Sequence, residues 1–264
     1  MEQGSDLWHE IKRGVPSSSN FDRILTPGAG GRFTCVDRIG NTCGTKHTSL
    51  EAAEKCSKAL NKRLADGVPF APQKAPLELA AAHKRYIAEL IGELKCAHTP
   101  NFFTGSGNLR TGPMEEGARR EPEARDWYER TTNQRLQQVG FIQTEDLRFG
   151  CSPDSLVVGH LSAPLFDDEN PTYIGGLELK CPQPTRHVEY VMDTGELLND
   201  YKHQVHGSLI VSGFDWWDLV SYCPPLPAVK LRVVRDEYTK QLAEAMELFW
   251  EAFTKYRDLI EGMI

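Results

Sequence analysis

The segment Gly176–Lys180 alternates apolar and charged side chains in the order Gly-Leu-Glu-Leu-Lys. Because successive side chains of a β-strand point to opposite faces, Leu179 lies on one face, whereas Glu178 and Lys180 share the other. This pattern restricts the fold more than any other feature of the chain. It predicts a strand that carries a carboxylate and an ammonium group side by side.

The rest of the sequence predicts an α/β protein with a mixed central sheet flanked by helices, in one domain over residues 1–264. Pro122 lies inside one predicted helix, and because proline fits a helix only in the first turn, we expect a break or kink there. The predicted helices cover residues 5–11, 77–96, 114–132, 196–211 and 236–262, and the predicted strands cover 140–143, 147–149, 156–158, 173–179, 217–222 and 229–234.

Residues 27–76 differ in character from the rest of the chain. Residues 33–36 and 43–45 could pair as a hairpin, and Thr48 and Glu51 form a capping box at the start of a helix. We therefore expect a small ββα insertion near the N-terminus. Its helix carries more basic than acidic residues, so the insertion could contact DNA, a neighbouring subunit or a protein partner.

The sequence lacks the motifs of several classes of protein, and these classes can therefore be excluded. The glycine run at residues 28–31 has no following Lys-Ser/Thr pair of a Walker motif, which excludes ATP binding. No apolar run approaches the roughly 20 residues of a membrane helix, and the N-terminus has neither the basic nor the apolar region of a secretory signal. The seven cysteines are widely spaced without a C-x-x-C pair, so we expect reduced thiols in a cytoplasmic protein, not a disulfide framework or a zinc ribbon.

The net charge of −7 argues against general attraction to nucleic acid, because proteins that bind it are usually basic. The charge is unevenly spread. Residues 1–150 hold 21 Lys and Arg against 19 Asp and Glu, whereas residues 151–264 hold 9 against 18. The negative net charge of the chain therefore does not exclude a local basic site within residues 1–150.

Asp154 stands just before one predicted strand, and Glu178 lies on the next. If these strands are neighbours, the two carboxylates converge, and paired hard oxygen ligands suit Mg²⁺ or Mn²⁺. Lys180 beside them could orient an attacking water and stabilise the charge that develops on a phosphodiester. The pattern D…E-x-K is typical of a large class of nucleases, although an exposed acidic turn beside a salt-bridged strand produces the same pattern.

Further blocks of sequence extend this pattern. They are residues 2–19 with Asp-Leu-Trp-His and Ser-Ser-Ser, residues 117–125 with Glu-Pro-Glu-Ala-Arg, residues 151–154 and 176–182 around the carboxylates, and residues 201–207 with Tyr-Lys-His-Gln. In order and approximate spacing, these blocks resemble the phage lambda exonuclease and YqaJ-like viral recombinase family. The resemblance covers most of the chain outside residues 27–76 and implies the restriction-endonuclease-like fold of the PD-(D/E)XK nucleases.

The resemblance implies a role for each matching residue of the metal core. Asp154, Glu178 and the carbonyl group of Leu179 would bind the metal ions. Glu121 would complete a second metal site, directly or through water. Lys180 would position the attacking water.

The resemblance also implies a pocket for a DNA 5′-phosphate. Lys12 stands where the family has an arginine, and lysine is a point charge that cannot clamp a phosphate with two parallel hydrogen bonds. The neighbouring Arg13 could share the task. The implied hydrogen-bonding residues are Ser19, Ser152 and Gln204, with Tyr201 supporting the pocket or the terminal nucleotide.

These matches imply a Mg²⁺-dependent deoxyribonuclease, with Mn²⁺ as a substitute, that digests one strand of duplex DNA in the 5′→3′ direction from a phosphorylated end. They also imply a homotrimeric ring around the DNA, a single-strand annealing protein as partner, and a phage, prophage or viral protein acting in the host cytoplasm. Two alternatives remain open. One is a related endonuclease or repair nuclease, and the other is a non-catalytic protein that binds DNA ends.

Overall fold

A computed structural model describes most of the 264 residues of the chain. The described residues are 3–24, 33–39, 41–45, 47, 49–63, 69–74, 81–96, 112–160 and 172–264. The glycine run and the first residues of the helix predicted from residue 77 lie outside them. Within the described part of the chain, no helix is both long and apolar enough to cross a membrane.

The chain divides into two compact units, one formed by Met1–Ile24 with Tyr86–Ile264 and the other by Leu25–Arg85. The helices are α1 (Asp6–Lys12), α2 (Leu50–Asn61), α3 (Ala81–Lys95), α4 (Gly112–Thr132), α5 (Pro184–Met192), α6 (Thr194–Ser212) and α7 (Glu237–Glu261), with a 3-10 helix at Ser18–Arg23. The strands are β1 (Phe33–Val36), β2 (Ala71–Lys74), β3 (Gln134–Gln137), β4 (Ile142–Gln143), β5 (Gly150–Cys151), β6 (Ser155–His160), β7 (Gly175–Lys180), β8 (Trp216–Ser221) and β9 (Val229–Val234).

The larger unit is built around a sheet with the strand order β3-β6-β7-β8-β9. β7 and β8 run parallel, and the other neighbouring pairs are antiparallel. Helix α4 contacts β3 and β7, and α6 contacts β7, β8 and β9. This mixed sheet flanked by helices confirms the predicted α/β fold class.

Strand β7 is buried along almost its whole length. Leu177 and Leu179 belong to the same buried cluster as Ala124 and Tyr128 of α4. Glu178, which points the other way, is buried against α6. The alternation in the sequence therefore separates an apolar layer from a charged one, as predicted.

Helices α6 and α7 begin and end at residues suited to those positions. Asp193 caps the start of α6, and Gly213 ends it with a φ of 77°, a conformation that favours glycine. Asp236 and Thr239 form a capping box at the start of α7. The buried stripe of α7 consists of Leu242, Met246, Phe249 and Phe253.

Some local predictions are wrong. Residues 147–149 form a turn instead of a strand, because the Leu147 N–H donates to the Thr144 carbonyl at 2.8 Å and Leu147 adopts a φ of 59°. Helix α4 is not broken at Pro122. A proline removes one helical hydrogen bond, and the packing of α4 on the sheet keeps the helix continuous. Strand β3 and helix α5 were not predicted.

The smaller unit contains helix α2 and the antiparallel pair of β1 and β2. β1 also forms isolated bridges to Thr42 and His47, so the predicted hairpin arm at 43–45 is not a regular strand. The regular partner of β1 is β2, a strand that was not predicted. Ser49 caps α2, since its Oγ atom accepts a hydrogen bond from the Ala52 N–H at 3.2 Å.

The 3-10 helix Ser18–Arg23 lies directly on α6. Phe21 is fully buried, and a Cβ atom on Gly207 would lie 2.3 Å from the Cδ2 atom of Phe21. Ser208 Oγ donates a hydrogen bond to Ser18 Oγ at 3.1 Å. Gly207 therefore allows an approach between the two segments that a larger residue would prevent.

We expect Gly207→Ala to lower the free energy of unfolding by about 1–2 kcal/mol. Overpacking typically costs about 1–3 kcal/mol, which exceeds the roughly 0.5–1 kcal/mol that alanine gains over glycine in a helix. Denaturant unfolding measures the change. Gly262→Ala is the control, because its Cβ atom would meet its nearest neighbour at an ordinary 3.5 Å, and equal stability of both variants would contradict the prediction.

Candidate active site

The pairing of β6 with β7 brings Asp154 and Glu178 together. Ser155 pairs with Leu177 in the antiparallel register, so that Asp154, one residue earlier, comes opposite Glu178. The Leu179 N–H donates a hydrogen bond to Asp154 Oδ2 at 2.6 Å. The convergence of the two carboxylates that was expected from the sequence is therefore present.

Lys180 and Gln204 close a hydrogen-bonded triangle on Glu178. Lys180 Nζ and Gln204 Nε2 both donate to Glu178 Oε1, each at 2.6 Å. Lys180 Nζ also donates to Gln204 Oε1 at 3.1 Å. The Nζ atom lies 4.5 Å from the ring centroid of Tyr201, which adds a cation–π contact. Strand β7 and helix α6 thus fix the lysine from several sides.

The electrostatics of the cluster suit a bound cation. Burial raises the pKa of Asp154 well above its usual value, the Glu178 charge raises it further, and Lys180 opposes both effects. Burial by itself lowers the pKa of Lys180, but the Glu178 and Asp154 charges outweigh it and raise this pKa, so the ammonium group stays charged. One ammonium group faces two carboxylates, so a bound cation would favour the ionised form of Asp154.

The donor atoms also suit a hard divalent cation. Among the described residues, Asp154 uses Oδ2 and Glu178 uses Oε1 for the hydrogen bonds above. The second oxygen of each carboxylate therefore remains as a ligand of the type that Mg²⁺ and Mn²⁺ prefer. The Leu179 N–H donates to Asp154, so the backbone of Leu179 lies beside this carboxylate. The carbonyl group of Leu179 is the one expected to bind the metal ion.

Glu121 lies on α4, near the metal core but not inside the triangle. It forms an ion pair with Arg125 one turn later, at 3.7 Å, and its charge contributes to the raised pKa of Asp154. Helix α4 is continuous at Pro122, so a break in the helix does not orient Glu121.

The serine-rich turn before Phe21 lies next to Ser152. The Gly150 N–H donates to the Pro16 carbonyl at 2.9 Å, and Ser17 forms a bridge with Gly150. Ser17 Oγ and Ser19 Oγ lie 3.3 Å apart. In the described part of the chain, Ser152 Oγ is buried without a hydrogen-bond partner. A buried hydroxyl group without a partner is costly, and an anion in this place would remove that cost.

The two cations of the expected pocket have other contacts. Lys12 Nζ lies 4.4 Å from the ring centroid of Trp8, and burial lowers the pKa of Lys12 although Glu93 opposes this effect. Arg13 is half-buried at the end of α1. The hydrogen bonds of the described residues join neither side chain to Ser19, Ser152 or Gln204.

Sequence reasoning missed two residues that shape this region. Gln3 Nε2 donates to the Pro153 carbonyl at 2.8 Å and so ties the N-terminal segment to the turn before Asp154. Gly207 admits the 3-10 helix to α6, one turn from Gln204. A glycine inside an otherwise helical pattern is a signal of close packing, whereas nothing in the sequence pointed to Gln3.

A mixed sheet with two carboxylates and a lysine at adjacent strands defines the class of D…E-x-K nucleases. Residues 77–215, more than half of the chain, match the family model of the YqaJ-like viral recombinase domain. The chain therefore belongs to this family, which confirms the resemblance seen in the sequence. A search of curated proteins found no match.

Solved structures share the fold. An alkaline exonuclease (LHK-Exo) from Laribacter hongkongensis is similar at a TM-score of 0.62 with 21% identity, covering 98% of this chain and 97% of that one. Its complex with dAMP gives a TM-score of 0.63 at the same identity and coverage. A phage related exonuclease from Haemophilus somnus 129PT gives 0.50 at 15% identity, over 71% of this chain and 86% of that one. At these identities the solved structures show a shared fold, and the family model is that of a viral recombinase domain.

We expect the stability of the metal-free protein to fall as the pH rises. The pKa of Asp154 is raised in the folded state, so between its unfolded and folded pKa values the folded protein holds more protons, and raising the pH through this window destabilises it. Because asparagine cannot ionise, Asp154→Asn should remove this loss of stability at higher pH.

Thermal unfolding with a chelator, over a pH range that begins near the unfolded pKa of aspartate at about 4 and rises to alkaline pH, measures this effect. Asp154→Asn should unfold at least about 2 °C above the unsubstituted protein, the shift that roughly 1 kcal/mol causes in a domain of this size. Asp126→Asn, at an exposed position on α4, should leave the pH dependence unchanged. A lower unfolding temperature for Asp154→Asn would contradict the prediction.

Proposed function

We propose that this protein is a metal-dependent exodeoxyribonuclease that digests one strand of double-stranded DNA in the 5′→3′ direction from a 5′-phosphorylated end. The observation that carries the proposal is the buried cluster of Asp154, Glu178 and Lys180, held together by Gln204. Membership of the YqaJ-like family and the exonuclease neighbours support the same reaction class.

Each residue of the cluster would have a separate role in phosphodiester hydrolysis. A bound Mg²⁺, or Mn²⁺ in its place, would lower the pKa of the attacking water and offset the charge that develops on the phosphate. Asp154, Glu178 and the Leu179 carbonyl would hold this ion, with Glu121 serving a second one. Lys180 stays protonated and donates hydrogen bonds, so its role is to orient the water and stabilise negative charge.

Gln204 connects the chemistry to the recognition of a DNA end. Its side chain bonds Glu178 and Lys180, while the following turn of α6 contacts the serine-rich segment through Ser208. A terminal 5′-phosphate seated near Ser19 and Ser152 would therefore lie beside the hydrolytic cluster. We assign Lys12 and Arg13 the long-range attraction of that phosphate, and Tyr201 the support of the terminal nucleotide.

We further propose that the protein acts as a homotrimeric ring around duplex DNA, with a single-strand annealing protein as partner, in the cytoplasm of a host cell. The charge distribution supports enclosure, because residues 151–264 hold 18 acidic against 9 basic residues. A protein that surrounds its substrate needs a local basic lining instead of strong general attraction.

Lys180→Ala should lower the rate of DNA hydrolysis at least about 100-fold, which is the usual cost of losing one group that stabilises the transition state. Binding of duplex ends should persist, because the end is held by other residues. Single-turnover hydrolysis and a gel-shift assay measure the two effects. Lys240→Ala is the matched control, since this lysine is 76% exposed on α7. Undiminished hydrolysis by Lys180→Ala would indicate a non-catalytic role for the cluster, such as end binding alone.

Ser152→Ala should reduce the preference for 5′-phosphorylated over 5′-hydroxyl blunt duplexes roughly ten-fold, because a hydrogen bond to a charged group contributes about 1.5–3 kcal/mol. Rates on 5′-hydroxyl ends should not change. Thr254→Val is the control, since it removes another buried hydroxyl group without a partner, on α7. If the unsubstituted protein ignores the 5′-phosphate or cuts circular DNA, the alternative of an endonuclease replaces the exonuclease.

A further inference from the structure

The described residues of the smaller unit, Leu25–Arg85, bury few apolar side chains. Among its described residues, the buried ones are Thr34, Cys35, Ala53, Ser57 and His83. None of these is a large aliphatic or aromatic residue. Small units that cannot build a hydrophobic core usually depend on disulfides or a metal ion.

Four potential metal ligands converge in this unit. They are Cys35 on β1, Cys43 and His47 on the following segment, and Cys56 on α2. One ligand atom from each residue lies within 4.8 Å of all the others. The wide spacing of the cysteines favoured reduced thiols over a zinc ribbon. The fold, and not the spacing, brings these three thiols together.

The backbone holds the ligands in place without a metal ion. The Cys43 N–H donates to the Cys35 carbonyl at 2.9 Å, and the segments of Phe33 and His47 exchange two backbone hydrogen bonds at 3.1 and 2.8 Å. Helix α2, capped by Ser49, then presents Cys56 to the same point. Three separate elements thus supply the four ligands.

The distances between ligand atoms match a tetrahedral site. Cys43 Sγ and Cys35 Sγ lie 3.6 and 4.0 Å from His47 Nε2. The edges of a tetrahedron around Zn²⁺ are roughly 3.6 Å between sulfur and nitrogen and roughly 3.8 Å between sulfurs, from the usual bond lengths. The four atoms therefore need only small movements to surround an ion.

We propose that Cys35, Cys43, His47 and Cys56 bind one structural Zn²⁺ ion. Three cysteines and one histidine form a closed ligand set that leaves no open position for a substrate. On binding, the three thiols release their protons to solvent and the imidazole coordinates as the neutral ring. The thiol hydrogen bonds to the Ala53 and Thr45 carbonyls, at 3.1 and 3.2 Å, give way to metal–sulfur bonds.

This site differs chemically from the carboxylate cluster of the larger unit. Thiolate and imidazole ligands select Zn²⁺, whereas carboxylate and carbonyl oxygens favour Mg²⁺ and Mn²⁺. The proposal does not depend on the proposed nuclease activity, because the zinc ion would stabilise the fold of the smaller unit instead of taking part in hydrolysis.

Cobalt substitution tests the site directly. The full-length protein is reduced, stripped with a zinc-selective chelator and titrated with Co²⁺ in excess Mg²⁺. The expected result is one equivalent of Co²⁺ with the strong visible and thiolate charge-transfer absorption of a tetrahedral sulfur-rich site, which Zn²⁺ then abolishes. Co²⁺ bound only to carboxylates and water absorbs weakly, so the spectrum distinguishes the two sites. A weak spectrum, or a disulfide among the three thiols in protein purified under reducing conditions, overturns the proposal.

Zinc content measured by mass spectrometry of the purified protein gives a second test. Cys43→Ser, Cys56→Ser and His47→Ala should lose most of the zinc and unfold at lower temperature. His47→Cys should retain it, because four cysteines also bind Zn²⁺. Cys96→Ser is the control, since Cys96 is exposed and lies outside the group. Equal zinc content in Cys43→Ser and Cys96→Ser contradicts the proposal even if every variant folds.

Discussion

Asp154 and Glu178 place two carboxylates beside one another in the interior of the larger unit. Two negative charges on paired strands in a partly desolvated place repel each other strongly. The antiparallel register of β6 and β7 prevents the two carboxylates from separating. The structure offsets part of the repulsion with the Lys180 ammonium group, the Gln204 amide and the Leu179 N–H. Because this compensation is incomplete, a bound cation would relieve the remaining repulsion.

The sheet beneath the site is arranged to keep β7 fixed. Gly175 and Gly176 lie under the rings of Trp216 and Trp217, where an added Cβ atom would come within 2.5 and 2.3 Å of ring carbons. These glycines allow the parallel pairing of β7 with β8. Asp218 of β8 is fully buried and accepts hydrogen bonds from Tyr128 of α4 and Arg232 of β9, which joins the strands to the covering helix.

The sequence predicted the parts of the molecule that depend on local pattern. Alternation along β7 predicted the shared face of Glu178 and Lys180, and helical spacing predicted helix α7. The turn at 147–149 was mistaken for a strand because its apolar residues suit both, and the left-handed Leu147 has no signal in a sequence. The link between Gln3 and Pro153 joins residues 150 positions apart, and the group around Cys35 contains no C-x-x-C pair, so neither could be read from spacing.

The proposed zinc site bears on how the carboxylate cluster would acquire the intended ion. Zn²⁺ binds most mixed ligand sets more tightly than Mg²⁺ or Mn²⁺, so a carboxylate site alone discriminates poorly between them. A set of three thiols and one imidazole in the same chain binds Zn²⁺ more tightly than oxygen ligands do, so when zinc is limiting the thiol set fills first and the oxygen ligands bind the abundant hard cation. The two units thus separate soft from hard ligands, and each ion would occupy the unit whose chemistry needs it.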